Sequence, residues 1–160
     1  MSLSLRENIY RARALPRNEE VLMGRARLLS DNDRDLVRAV LVHGQSAPVV
    51  ARLTGQTARA VRGRVSRLTR RMTSRAFLDA ARALPYLEPG DALLARLAFC
   101  QRLSHRRLCL ELKLTRHTLR RRLDRLAAQI QTIRRMSRDA RKAQQGLTQD
   151  TRNAQGDQLP

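Results

Sequence analysis

Two short stretches hold the residue types that could do chemistry. In "VRGRVSRLTRR", residues 61–71, an arginine falls on nearly every helical turn beside a thin apolar line of Val61, Val65 and Leu68. "LRRRLDRLAAQ", residues 119–129, repeats the arrangement beside Leu119, Leu123 and Leu126. A planar guanidinium carries paired N–H donors that match a phosphate or the exposed edge of guanine, so arginine rows of this kind suit nucleic-acid recognition. One stripe of such a helix must face its own domain, and the rest of its girth is free for base edges and phosphates. The candidate binding residues are Thr57, Arg59, Arg62, Arg64, Ser66 and Arg67 in the first stretch. In the second they are Thr115, Arg116, His117, Arg120, Arg121, Arg122 and Arg125. Ala58, Arg59, Arg62, Gly63 and Ser66 are expected to face bases, as are Arg116, His117, Arg120, Arg121 and Asp124. Arg64, Arg67, Arg122 and Arg125 are expected to face phosphates.

Other chemistries fare less well. Cys100, Cys109, His105 and His117 are zinc-ligand types. Yet when the chain is aligned on itself with a shift of 58 residues, Cys100 falls on Val42 and Cys109 on Ala51, both apolar, which points to small buried cysteines. There is no glycine-rich phosphate loop, no carboxylate pair in an apolar setting and no Ser-His-Asp constellation, so neither an enzyme nor a cofactor or metal is expected.

That alignment exposes the elements that must position the arginines. Without gaps, Leu29 meets Leu87, Asp33 meets Asp91, Leu36 meets Leu94, Ser46 meets Ser104 and Thr57 meets Thr115. Arg62, Arg64, Arg67 and Leu68 meet Arg120, Arg122, Arg125 and Leu126, so the chain is an internal duplication. In each copy a short helix, a tight turn and a longer basic helix follow one another: "SAPVVARL", "TGQ" and "TARAVRGRVSRLTRRM", then "SHRRLCLE", "LKL" and "TRHTLRRRLDRLAAQI". Gly55 can take the positive φ of a sharp turn and Thr57 can cap the next helix, which reads as a helix-turn-helix. Lys113 stands where that glycine stood. The expected fold class is all-α: two tandem three-helix helix-turn-helix domains with an N-terminal helical arm. The arm covers residues 1–28, with helices expected over residues 5–14 and again after Asn18. Copy one then spans 29–73, a linker helix 74–86, copy two 87–136, and a frayed helix with a disordered tail 137–160.

Composition narrows the partner. Thirty-three basic against fourteen acidic side chains give a net charge of +19, and every basic residue except Lys113 and Lys142 is arginine. Such an excess calls for a polyanion. Two Phe, two Tyr and no Trp are too few for the stacking platforms of single-strand binders. Two cysteines make no disulfide framework, no apolar run reaches membrane-spanning length and no signal peptide is evident, so a cytoplasmic location is expected.

The run "GQSAPVVARLTGQTARAVRGRVSRLTRRM" resembles region 4 of the sigma-70 family, especially its extracytoplasmic-function group, in the residues Ala60 to Arg67. "HTLRRRLDRL", from His117 to Leu126, resembles the same run, and the likeness covers about 45 residues of each copy. It implies DNA binding through a recognition helix. The aromatic-containing domain with which sigma factors melt promoters has no counterpart in this sequence, so the expectation is a small transcription regulator built from two region-4-like modules. The alternatives are a structured-RNA binder, or an adaptor in which one module docks on RNA polymerase or another regulator. Ile130 and Ile133 prolong the apolar stripe of the last helix and need a cover, either the N-terminal arm or the same helix of a second chain in a homodimer.

Overall fold

A computed structural model describes residues 19–156, and all regular structure among them is helical. The helix expected over residues 5–14 lies outside the described residues. The first described helix, α1 (Glu19–Ala26), buries Leu22 and Ala26. After a short turn, α2 (Asp31–Val37) starts at Ser30, whose extended backbone carbonyl takes the amides of Asp33 and Arg34 at 3.0 and 2.8 Å. Asp31 and Asp33 sit in its first turn, where the helix dipole favours acids. Instead of ending, α2 widens into a π turn over Arg38–Val42, closed by the His43 amide donating to the Arg38 carbonyl at 3.1 Å. Gly44, at φ 63°, then reverses the chain.

The short helix α3 (Ala47–Thr54) follows, with a proline in its first turn, where no amide is needed, and Gly55 at φ 64° as its left-handed C-cap. The longer α4 (Ala58–Met72) is capped by the Thr57 hydroxyl, which accepts from the Ala60 amide at 3.2 Å. Val61, Val65, Leu68 and Met72 form its buried stripe. The chain breaks at Thr73, and Ser74 caps α5 (Arg75–Ala83), so the segment before Pro85 is a separate helix and no continuation of α4. A 3-10 turn over Leu84–Tyr86 leads to α6 (Pro89–Ala95), which also ends in a π turn, Arg96–Cys100. Then come the short α7 (His105–Glu111) and α8 (Arg116–Gly156), 41 residues and roughly 60 Å long. It is helical to Gly156, where a frayed helix and disordered tail had been expected over residues 137–160; residues 157–160 lie outside those described.

The duplication is visible in the backbone itself. Gln101 donates to Arg96 at 2.9 Å as His43 does to Arg38, and Leu103 to Leu97 at 3.0 Å as Gln45 does to Ala39. Leu114 donates to Cys109 at 3.0 Å as Gln56 does to Ala51. Most telling are the left-handed residues: Gly44 and Gly55 are matched, 58 residues on, by Arg102 at φ 56° and Lys113 at φ 51°. Side chains that disfavour this conformation adopt it because the surrounding packing demands the same turn.

Packing also extends the repeat beyond the boundaries read from sequence. α1 packs on the first π turn and on α4, and α5 packs on the second π turn and on α8. Ala80, the counterpart of Leu22, is fully buried as Leu22 nearly is. The segment read as a linker helix is therefore the first helix of the second repeat, and the arm's last helix is the first of the first. Among the described residues each repeat has four helices.

A single apolar core runs through both repeats, with Phe77, Ala80 and Ala83 of α5 in the same cluster as Leu68 and Met72 of α4 and Leu119, Leu126 and Ile130 of α8. Ile130 is 7% exposed and Ile133 packs against the cluster's edge. The reading that these two lack a cover apart from the arm or a second chain is corrected: α5 packs along this part of α8, and the Arg134–Asp79 ion pair at 3.5 Å fastens the contact.

Left-handed turns give a direct test. A non-glycine residue there costs about 1 kcal/mol, partly offset by the greater freedom of glycine in the unfolded chain. Gly55→Ala, which meets no neighbouring atom within 4 Å, is expected to destabilise by about 1 kcal/mol through φ alone. Lys113→Gly is expected to raise stability by up to about 1 kcal/mol. Urea unfolding checks both, and an unmoved midpoint for Gly55→Ala would contradict the turn.

Candidate nucleic-acid interface

Burial of one stripe dictates what the rest of each basic helix shows. With Val61, Val65 and Leu68 buried, Arg59, Arg62, Ser66, Arg67 and Arg70 of α4 stand exposed, as do Thr57 and the turn before it. On α8, Leu119 and Leu126 are buried and Leu123 half-buried, while Arg116, His117, Arg120, Arg121, Asp124 and Arg125 are exposed beside Thr115. Thr57 and Thr115 each spend their hydroxyl on a helix cap, to the amides of Ala60 and Thr118, both at 3.2 Å. No ion pair forms among the described residues at Arg59, Arg62, Arg67 or Arg70, nor at Arg116, Arg120, Arg121 or Arg125.

Arg64 and Arg122 behave differently, and here the sequence expectation is corrected. Arg64 donates through Nε and Nη2 to Asp33 Oδ1 at 2.9 and 2.7 Å, and Arg122 Nη2 donates to Asp91 Oδ1 at 2.9 Å. Both carboxylates are mostly buried, their side chains 16% and 19% exposed. These two arginines are internal fasteners that tie the fourth helix of each repeat to the second, so they are removed from the set of phosphate contacts. The alignment already held the signal, because Asp33 and Asp91 are repeated together with Arg64 and Arg122. Arg71 joins the first pair, at 3.5 Å from Asp33 Oδ2, and also donates to the Gln101 carbonyl at 3.1 Å, linking the two repeats. Burial lowers the pKa of its guanidinium, with Asp33 pulling the other way.

At about 100° per residue, the face opposite the fastener can be read off each helix. In the first repeat it presents Arg59, Arg62 and Ser66, and in the second His117, Arg120 and Asp124. Gly63 leaves space that Arg67 uses, with its Nη1 3.5 Å from where a Cβ on Gly63 would lie, so this guanidinium folds back over the helix surface. In the second repeat, His105 at the start of α7 joins Arg116, His117, Arg120, Leu123 and Asp124 around an open groove of about 640 Å³. In the sequence His105 was weighed only as a zinc-ligand type and taken for an ordinary surface group, and it aligns with the buried Ala47.

The cysteines stay apart from this surface. Burial pushes the Cys100 thiol up to about 11, with Arg96 opposing, and Cys109 is half-buried. No group of three or more His, Cys, Asp or Glu side chains comes together as a metal site among the described residues. Nor is any helix among them long and apolar enough to cross a membrane. No protein-family model, no curated protein and no solved structure matches the chain.

The division between fasteners and free arginines is measurable. Arg64→Ala and Arg122→Ala each leave a mostly buried carboxylate short of a partner and are expected to cost about 1–2 kcal/mol of folding stability. Arg62→Ala and Arg120→Ala should stay within about 0.5 kcal/mol of the wild type. Equal losses in the two groups, measured by urea unfolding, would return Arg64 and Arg122 to the solvent face.

Proposed function

We propose that this protein binds duplex DNA sequence-specifically and acts in transcription control, each repeat presenting a helix-turn-helix. In this reading α3 and α4 form the first module and α7 with the start of α8 the second, and α4 and the first turns of α8 enter the major groove. The observation that carries it is that Arg59 and Arg62 of α4 and Arg120 of α8 stand exposed opposite a fastened arginine and form no ion pair among the described residues, each on a helix that follows a tight left-handed turn. Exposed arginines close together on one helical face repel one another, and phosphates and guanine edges relieve that repulsion. The likeness to sigma-70 region 4 supports the same reading, and RNA polymerase is the protein partner it suggests. A location in the cytoplasm goes with that role.

The two modules would read different bases. Arg62 and Arg120 are suited to guanine, and where the first repeat offers Ser66 the second offers Asp124, which can accept from a cytosine amino group but repels phosphate. An asymmetric site follows. Asp124 also keeps open the reading in which the second module docks on a protein, and duplex RNA is the competitor that tests the structured-RNA reading. Selection from a random duplex library would give the site.

Binding is expected to weaken steeply with salt. Each phosphate contact contributes about −0.9 to the slope of log affinity against log salt, so five or more contacts give a slope near −5 or steeper, and a slope near zero would sink the proposal. On the selected site, Arg62→Ala or Arg120→Ala should cost roughly 1–3 kcal/mol and relax base preference, while Arg67→Ala or Arg125→Ala should weaken all sequences alike. Identical behaviour of the two classes would overturn the facing assignment.

A further inference from the structure

Beyond Ile133 the last helix leaves the core, yet its basic character continues. Arg134, Arg138, Arg141 and Lys142 recur at three- and four-residue spacing, so they share one side of α8. That side lines a groove of about 300 Å³ whose other wall is Asp79 and Arg82 of α5, with Ile133 and Ser137 also lining it. Asp79 is the one acid lining the groove among the described residues, and it is already engaged by Arg75 at 3.7 Å and Arg134 at 3.5 Å. Arg82, Arg138, Arg141 and Lys142 form no ion pair among the described residues.

Cations crowd further behind this wall. Arg25, at the end of α1, lies close enough to Arg82 for its pKa to be lowered, first by burial and then by that neighbour's charge. Like charges at these spacings destabilise a helix, and among the described residues nothing in the core asks for them, because Ile133 is the last of these on α8 that packs on the cluster. A concave strip with four cations that form no ion pair among the described residues, on two packed helices, fits a linear array of negative charges spaced a few ångströms apart. A nucleic-acid backbone is such an array.

We infer that the groove between α5 and the outer part of α8 is a second nucleic-acid contact, which holds the phosphate backbone of duplex DNA through Arg82, Arg138, Arg141 and Lys142 without reading its sequence. This rests on the proposed DNA binding and adds to it a site separate from the two base-facing surfaces. The contact is electrostatic, so it contributes to affinity for all sequences alike and to the salt slope.

Four full-length proteins test it on a long mixed-sequence duplex: the wild type, Arg62→Ala with Arg120→Ala, Arg138→Ala with Arg141→Ala and Lys142→Ala, and the combination. Alanine keeps an exposed helix intact, and circular dichroism verifies this. The triple variant is expected to flatten the salt slope by about 2.7, with the same flattening in the combined variant. A wild type with a steep slope that the triple substitution leaves unmoved overturns the inference alone. If the wild type shows no salt-dependent duplex binding, the functional reading falls with it. An acidic-peptide groove would give a different result: polyglutamate bound by the wild type and lost in the triple variant, with the duplex slope unchanged, and that too overturns the inference.

Discussion

A carboxylate at the start of one helix gripping a guanidinium two helices later is the contact on which this architecture turns. Asp33 holds Arg64, and Asp91 holds Arg122, at 2.7 and 2.9 Å. In a chain of net charge +19 the acids are scarce, and these two are placed where they neutralise one arginine in each basic row. Each pair agrees with the buried apolar stripe about which side of its basic helix faces inward. Once Arg64 is turned inward, Arg59, Arg62 and Ser66 must look out. The carboxylate is mostly buried and its arginine half-buried, so the carboxylate depends on its arginine as much as the helix does.

Shared packing makes the two repeats one body. Phe77, fully buried, belongs to a core that runs from Leu22 to Ile130, and polar ties reinforce it: Arg71 to the Gln101 carbonyl, and Arg96 to the Arg27 carbonyl at 3.3 Å. Arg71 has no basic counterpart in the second repeat, where Gln129 stands, so this tie was built between the halves and not inherited by both. Two surfaces held this way cannot adjust independently. Any ligand that engages both must accept the separation the core imposes.

Much of this was legible in the sequence, and the omissions share a physical cause. The duplication, the buried stripes of α4 and α8, the Thr57 cap and the Gly55 turn all rest on local spacing, which a sequence displays directly. The matching of α1 with α5 did not show, because Leu22 with Ala80 and Ala26 with Leu84 agree only in being apolar. Arg64 and Arg122 were read as outward because helical spacing alone does not distinguish an arginine facing solvent from one meeting an acid 31 residues away. The cover over Ile130 was missed for a related reason: residues 74–86 were read as a linker helix, when the helix Arg75–Ala83 within them packs into the core.

The paired π turns carry a relative date. A π turn holds one residue more than an α turn, and such turns are rare. Here the surplus residue occurs at equivalent places, Arg38–Val42 and Arg96–Cys100, with matching hydrogen bonds. The simplest chronology puts that insertion before the copying event. Replacement of the two turn glycines by Arg102 and Lys113 in one half only came after it, or the glycines of the other half were later refinements of an already fixed path. Either order makes the backbone older than the residues that now occupy it. An ancestral single unit, reconstructed from the two halves, would carry the π turn and the Asp–Arg pair whatever else it lacked.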